Sequence, residues 1–127
     1  KNCINLFQNY DCKELKNSKS LKITLKKFSK SKTLFLVTNG NAKRQKNKIK
    51  NLSIKEKFKK IFILDGKKLK LKPSITNVKF LVDYLKKKGS NKAVYVGDNR
   101  VTDRKFAENL GIDYIFYQFP NIKKSNV

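Results

Sequence analysis

Apolar residues follow two alternating rhythms along this chain: short unbroken runs, and longer stretches in which they recur every three or four positions. Runs of four or five match buried strands, and the wider spacing matches helices with one apolar face. From Ser20 the residues Leu21, Leu25 and Phe28 predict a short amphipathic helix with a Lys-coated outer face. Thr33 to Val37 predicts a strand closed by Thr38-Asn39-Gly40. Ala42, Gln45, Ile49 and Leu52 then recur at helical spacing, with Lys43, Arg44, Lys46, Lys48 and Lys50 between them. A helix therefore leaves that turn directly, with its first free amides pointing back at Thr38.

Ile61 to Leu64 predicts a second strand, ending at Asp65-Gly66. Pro73 is expected to mark the start of the next helix. That helix carries Val78, Leu81, Val82 and Leu85 on one face, a Lys86-Lys87-Lys88 tail suited to the negative end of its dipole, and Gly89 as its stop. Ala93 to Val96 predicts a strand halted by Gly97, followed by a helix with Phe106, Ala107 and Leu110 inward and Gly111 at its end. Tyr114 to Tyr117 predicts the last strand. Asp65-Gly66 between apolar runs is also a two-residue hairpin signal, which would pair Leu69 and Leu71 back on Ile61 and Ile63.

The predicted order is an opening helix followed by β-α-β-α-β-α-β. The fold class expected from it is α/β, a Rossmann-like parallel sheet of four short buried strands with helices on both faces. Residues 1–19 carry little periodicity, residues 20–120 form the α/β core, and residues 121–127 read as a polar, frayed tail.

A chain of 127 residues is one domain by length and can bury a real core. Its charge is lopsided, with 32 Lys plus Arg against 9 Asp plus Glu, a net +23. Such a charge attracts anionic ligands. Only Arg44, Arg100 and Arg104 are Arg, however, and the Lys are spread along every predicted helix. Coding bias explains this better than a dedicated polyanion surface, so nucleic acid is expected to bind only nonspecifically. Cys3 and Cys12 have no His anywhere to complete a zinc set and read as reduced thiols. No run approaches the ~18 apolar residues of a membrane span, so the expected location is cytoplasmic, without membrane contact. The chain contains no Met, so Lys1 is expected to be internal to a longer product or to follow a removed initiator.

Three places at predicted strand ends carry the chemistry. Thr38 offers a hydroxyl followed by the free amides of Asn39 and Gly40, a cradle for a phosphoryl group. Lys72 offsets that group's charge. Asp98 and Asp103, five residues apart across a strand-turn-helix unit, offer hard oxygen donors suited to magnesium.

In order and spacing these residues resemble the haloacid dehalogenase-like (HAD) hydrolases, most of them phosphatases working through an aspartyl-phosphate. The resemblance covers roughly residues 21–119. Val37-Thr38-Asn39-Gly40 resembles the second family motif, whose hydroxyl binds the transferring phosphoryl group. Lys72-Pro73 resembles the third, whose Lys steadies the nucleophile and the phosphoryl oxygens. Gly97-Asp98-Asn99-Arg100-Val101-Thr102-Asp103 resembles the fourth, with Asp98 as magnesium ligand and Asp103 completing or orienting the acidic pair. The resemblance implies a magnesium-dependent phosphatase acting on a small phosphorylated metabolite, with Thr38 and Lys72 as catalytic residues.

One family feature is missing. The first motif, Asp-x-Asp at the end of the central strand, supplies the nucleophile, and no Asp-x-Asp occurs in this sequence. Asp11 stands alone in Tyr10-Asp11-Cys12, with no apolar strand before it. Two alternatives follow. Either the chain is part of a longer enzyme that carries Asp-x-Asp upstream of Lys1, residues 1–19 then being the end of a cap or a linker, or residues 1–10 fill the central gap without the chemistry. The absent Met favours the first, and the chain alone is expected to be inactive. The alternative function is a non-catalytic phosphate or polyanion (nucleic-acid) binding protein.

Overall fold

The computed structural model describes residues 2–4 and 19–117, with side chains described from residue 22 onward. The readings of Asp11, of residues 5–18, of the inward face of Leu21 and of the tail from Asn121 lie outside the described residues.

Among the described residues five strands form one parallel sheet: β1 (Asn2–Ile4), β2 (Leu34–Asn39), β3 (Lys60–Leu64), β4 (Val94–Gly97) and β5 (Asp113–Phe116). Their spatial order is β3-β2-β1-β4-β5. The α-helices among the described residues are α1 (Lys19–Ser31), α2 (Ala42–Leu52), α3 (Lys79–Lys88) and α4 (Thr102–Leu110). The gap between β2 and β4 is occupied by Asn2–Ile4, which pairs with both neighbours; Cys3 lies opposite Phe35 on one side and Tyr95 on the other. From β1 the chain steps outward to β2 and β3, then crosses back to β4. The reversal point between β1 and β4 is where open parallel sheets form a ligand crevice at the carboxyl ends of the strands.

Side-chain alternation along β2 divides the core in two. Leu34 and Leu36 face a cluster with Leu25 of α1, Ile49 and Leu52 of α2, Ile54 and Phe58. Phe35 and Val37 face the other way, joining Leu81 and Leu85 of α3, Phe106 and Ala107 of α4, and Tyr95. Both faces of the sheet are thus covered, as the helical spacing predicts.

Two expectations and one alternative need correction. Pro73 does not begin a helix. The Lys72-Pro73 peptide is cis, and the chain winds through turns, with the Ser74 amide bonding Leu71 O and the Val78 amide bonding Ile75 O. Lys79 is the first residue of α3, because the backbone at Lys72 is already committed to β2. The hairpin after β3 does not form either. The Asp65 carboxylate accepts the amides of Lys67, Lys68 and Leu69 at 2.9, 3.1 and 3.2 Å, curling the segment that would otherwise extend as a returning strand. Those bonds hold the Asp65 pKa below its usual range. Finally, β5 is not a buried strand. At the sheet edge it leaves Ile115 52% exposed.

Among the described residues no helix is long and apolar enough to cross a membrane.

Candidate functional site

Thr38 and Asn39 are the last two residues of β2, which runs two residues further than the apolar run predicts, and Thr38 is buried. Asn39 reaches across to the loop after β3. Its Oδ1 accepts the Lys72 amide at 2.8 Å, and its Nδ2 donates to Lys72 O at 3.4 Å. The side chain of Asn39 therefore ties the end of β2 to that loop, while the Gly40 amide, expected to be free for a phosphoryl group, instead donates to Leu64 O at 2.9 Å and holds the turn against β3.

Held in this way, Lys72 sends its side chain inward. Its Nζ donates to Asp103 Oδ1 at 2.8 Å, to Tyr95 Oη at 2.8 Å and to Val37 O at 3.4 Å. The side chains of Lys72 and Asp103 are fully buried. Burial pushes the Lys72 ammonium below its usual pKa, against the opposing pull of the Asp103 carboxylate. The Lys72 ammonium also stands 5.4 Å from the centre of the Tyr95 ring.

The other oxygen of Asp103 accepts the Asn99 amide at 3.1 Å. Its carboxylate fills the space that a side chain at Gly97 would need, which explains the glycine at the end of β4. Asn99 in turn accepts the amides of Val101 and Thr102 at 2.9 and 2.8 Å, starting α4 and fixing where Asp103 stands on its first turn. Tyr114 closes the loop from β5, its hydroxyl donating to Gly97 O at 2.9 Å, with Asn99 O at 3.2 Å. Burial, with the charges of Asp103 and Asp98, pushes its pKa up to about 12.

The predicted site residues thus gather at one end of the sheet, but not in equivalent roles. Thr38, Lys72 and Asp103 are buried, and Asp98 is half-buried at the end of β4. Lys72 points at Asp103 and Tyr95, and Asn39 contacts the Lys72 backbone. Among the described residues no three His, Cys, Asp or Glu side chains converge. Sequence reasoning missed Tyr95 and Tyr114, whose hydroxyls look like ordinary core aromatics in the pattern. It also missed what Gln45 does, although a polar residue at an inward helical position was a visible signal. Two surface grooves, about 460 and 600 Å³, flank the edge strand β3 rather than this crevice. Lys72, Tyr95 and Asp103 pack the floor beneath the strand ends.

The sequence model of the haloacid dehalogenase-like hydrolases matches residues 3–117. No curated protein matches the chain. Among solved structures, the magnesium-bound Bacillus subtilis protein YfnB, described as a HAD-hydrolase, superposes with a TM-score of 0.66 at 19% identity, covering 81% of this chain and 46% of its own. The core domain of a Streptococcus pneumoniae TIGR4 protein described as a phosphoglycolate phosphatase gives 0.61 at 20% identity, covering 96% and 82%. A HAD family enzyme of Bacteroides thetaiotaomicron, in complex with magnesium and inorganic phosphate, gives 0.55 at 16% identity, covering 84% and 55%. The chain spans about half the length of the first and third of these, and at such identities the likeness is one of fold. The family match runs over nearly the whole chain and includes all three strand-end motifs. This chain therefore belongs to the haloacid dehalogenase-like hydrolases.

Proposed function

We propose that the chain is the phosphate- and metal-binding part of a magnesium-dependent phosphatase acting on a small phosphomonoester through an aspartyl-phosphate. The observation that carries this reading is the continuous set of contacts from Asn39 to Lys72 at 2.8 Å and from Lys72 to Asp103 at 2.8 Å. It joins three separate strand ends into one polar unit beside Thr38 and Asp98. Solved relatives described with magnesium and with inorganic phosphate support the ligand class.

The donor set suits magnesium, which is commonly held by one or two carboxylates plus substrate oxygens and water. Asp98 is the proposed ligand. Asp103, with one oxygen on Lys72 and the other on the Asn99 amide, orients the loop that carries Asp98. When bound, the ion would neutralise charge on the phosphoryl oxygens. Thr38 donates its hydroxyl to the same group, and Lys72 supplies positive charge from below. None of these groups is an in-line nucleophile. In this proposal the nucleophile comes from residues other than those of this chain.

Two substitutions separate the parts. Asp98→Asn removes an anionic ligand and should weaken magnesium binding at least tenfold, on the order of one charge-assisted contact. Thr38→Val should leave magnesium affinity in place and weaken phosphate or vanadate binding. Calorimetry with each ligand reads both, and unchanged magnesium affinity in Asp98→Asn would refute the metal assignment.

A further inference from the structure

Apolar packing of α2 does not account for two of its buried residues, Gln45 and Lys48, and Gln45 is the one that reaches the end of β2. Gln45 is 5% exposed and shares its helix face with Ile49 and Leu52, where a hydrocarbon would avoid the cost of burying an amide. Its Oε1 lies 3.5 Å from Thr38 Oγ1. Its Nε2 lies 2.6 Å from the point where a side chain on Gly40 would begin. Gly40 has φ 139° and is tied to β3 through Leu64 O, so the turn holds its place above the amide. The carboxamide is wedged between the Thr38 hydroxyl and the turn that follows it, in room that exists because residue 40 is glycine.

A hydroxyl has one proton to give. Here two acceptors stand within its reach, Asn39 O at 3.4 Å and Gln45 Oε1 at 3.5 Å. With the proton on either of them the lone pairs of Oγ1 are left for the crevice, and they oppose an anionic oxygen. For Thr38 to donate to a phosphoryl oxygen instead, its own oxygen is best served by a donor from behind. A turned-over Gln45 amide supplies one through Nε2. We propose that Gln45 is a positioning residue for Thr38, its carboxamide reversing when a phosphate monoester binds so that the Thr38 proton is held on the ligand. This rests on Thr38 being a phosphate contact, as in the function proposed above.

The test is calorimetric titration of inorganic phosphate, at saturating magnesium, into the 127-residue chain and its variants, with magnesium titrated separately. Gln45→Leu should weaken phosphate binding about tenfold, the scale of one hydrogen bond to a charged group. The same loss should appear in a Thr38→Ser background, which keeps the hydroxyl, and should vanish in a Thr38→Val background. Magnesium affinity should not move, and Gln45→Met should behave as Gln45→Leu, with near-ultraviolet circular dichroism confirming an intact core in each. An equal loss in the Thr38→Val background, or a parallel loss of magnesium affinity, would overturn the proposal in favour of a packing role. Thr38→Val weakening phosphate while Gln45→Leu does not would overturn the role of Gln45 alone. Phosphate affinity indifferent to Thr38→Val, or absent from the parent chain, would overturn the phosphate-cradle reading and the role of Gln45 together.

Discussion

Lys72 and Asp103 are an ion pair with no water-exposed surface, 2.8 Å apart, and the energetics of such a pair are asymmetric. Together the two charges offset much of each other's desolvation; separately, either is a buried unpaired charge. Lys72→Met should therefore lower unfolding free energy by about 3–5 kcal/mol, and adding Asp103→Leu should return most of that loss. Urea denaturation of the single and double variants measures it, and a double variant no more stable than the single would show that the pair is not the source. Tyr95 shares the Lys72 ammonium at 2.8 Å, so Tyr95→Phe should cost roughly 1.5–3 kcal/mol, as a hydrogen bond to a charged group does. The motif residues are legible as types at fixed places in the order. Their partners are not, since a Lys among 29 gives no sign of which carboxylate it will meet.

At the scale of elements, the strand-loop-helix from β4 to α4 is where sequence and site meet most directly. Gly97 leaves room for the Asp103 carboxylate, Asn99 starts the helix, and Tyr114 of β5 pins the loop through Gly97 O and Asn99 O. The Tyr114 phenol gives this element a pH dependence. Its folded pKa of about 12 exceeds the ordinary value of 10.0, so the folded state holds the proton more tightly than the unfolded one. The stabilisation is complete below pH 10 and is lost as the pH rises from 10 towards 12. Tyr114→Phe should flatten the fall in stability across that window while lowering stability at neutral pH through the lost hydroxyl contacts. Thermal melts at several pH values read both effects. The periodicity placed α1 to α4 and β2 to β5 within a few residues, because packing a helix or strand on this sheet needs the same spacing wherever it occurs. It failed at Pro73, where a long-range tie to Asn39 outweighed local turn chemistry; at Asp65-Gly66 the strand ends as expected, and a side-chain cap on three amides rules out the alternative hairpin.

For the whole molecule, the net charge is +23, and if the crevice takes an anion as proposed, encounter with phosphate esters should slow as ionic strength rises. Encounter is not turnover. In the proposed function Thr38, Lys72 and Asp98 position and neutralise, but phosphoryl transfer through a covalent intermediate needs an in-line nucleophile. The 127-residue chain should show no hydrolysis of p-nitrophenyl phosphate above background. Magnesium-dependent hydrolysis abolished by Asp98→Asn would instead reveal a nucleophile within the chain, and Asp11 would be the first residue to replace.

The sequence by itself determined the α/β class, the order of the elements from α1 onward, the apolar faces and the three motifs with their places at strand ends. These are properties of spacing along the chain, and spacing is what periodicity records. Only the tertiary structure decided that Asn2–Ile4 lies between β2 and β4, that Lys72 is buried against Asp103 and Tyr95, that Asn39 clamps the Lys72 loop, and that Gln45 sits behind Thr38. Each of these depends on residues far apart in sequence being desolvated together, and the partner that satisfies a buried polar group is set by the packing of the sheet and its helices, which no local pattern encodes.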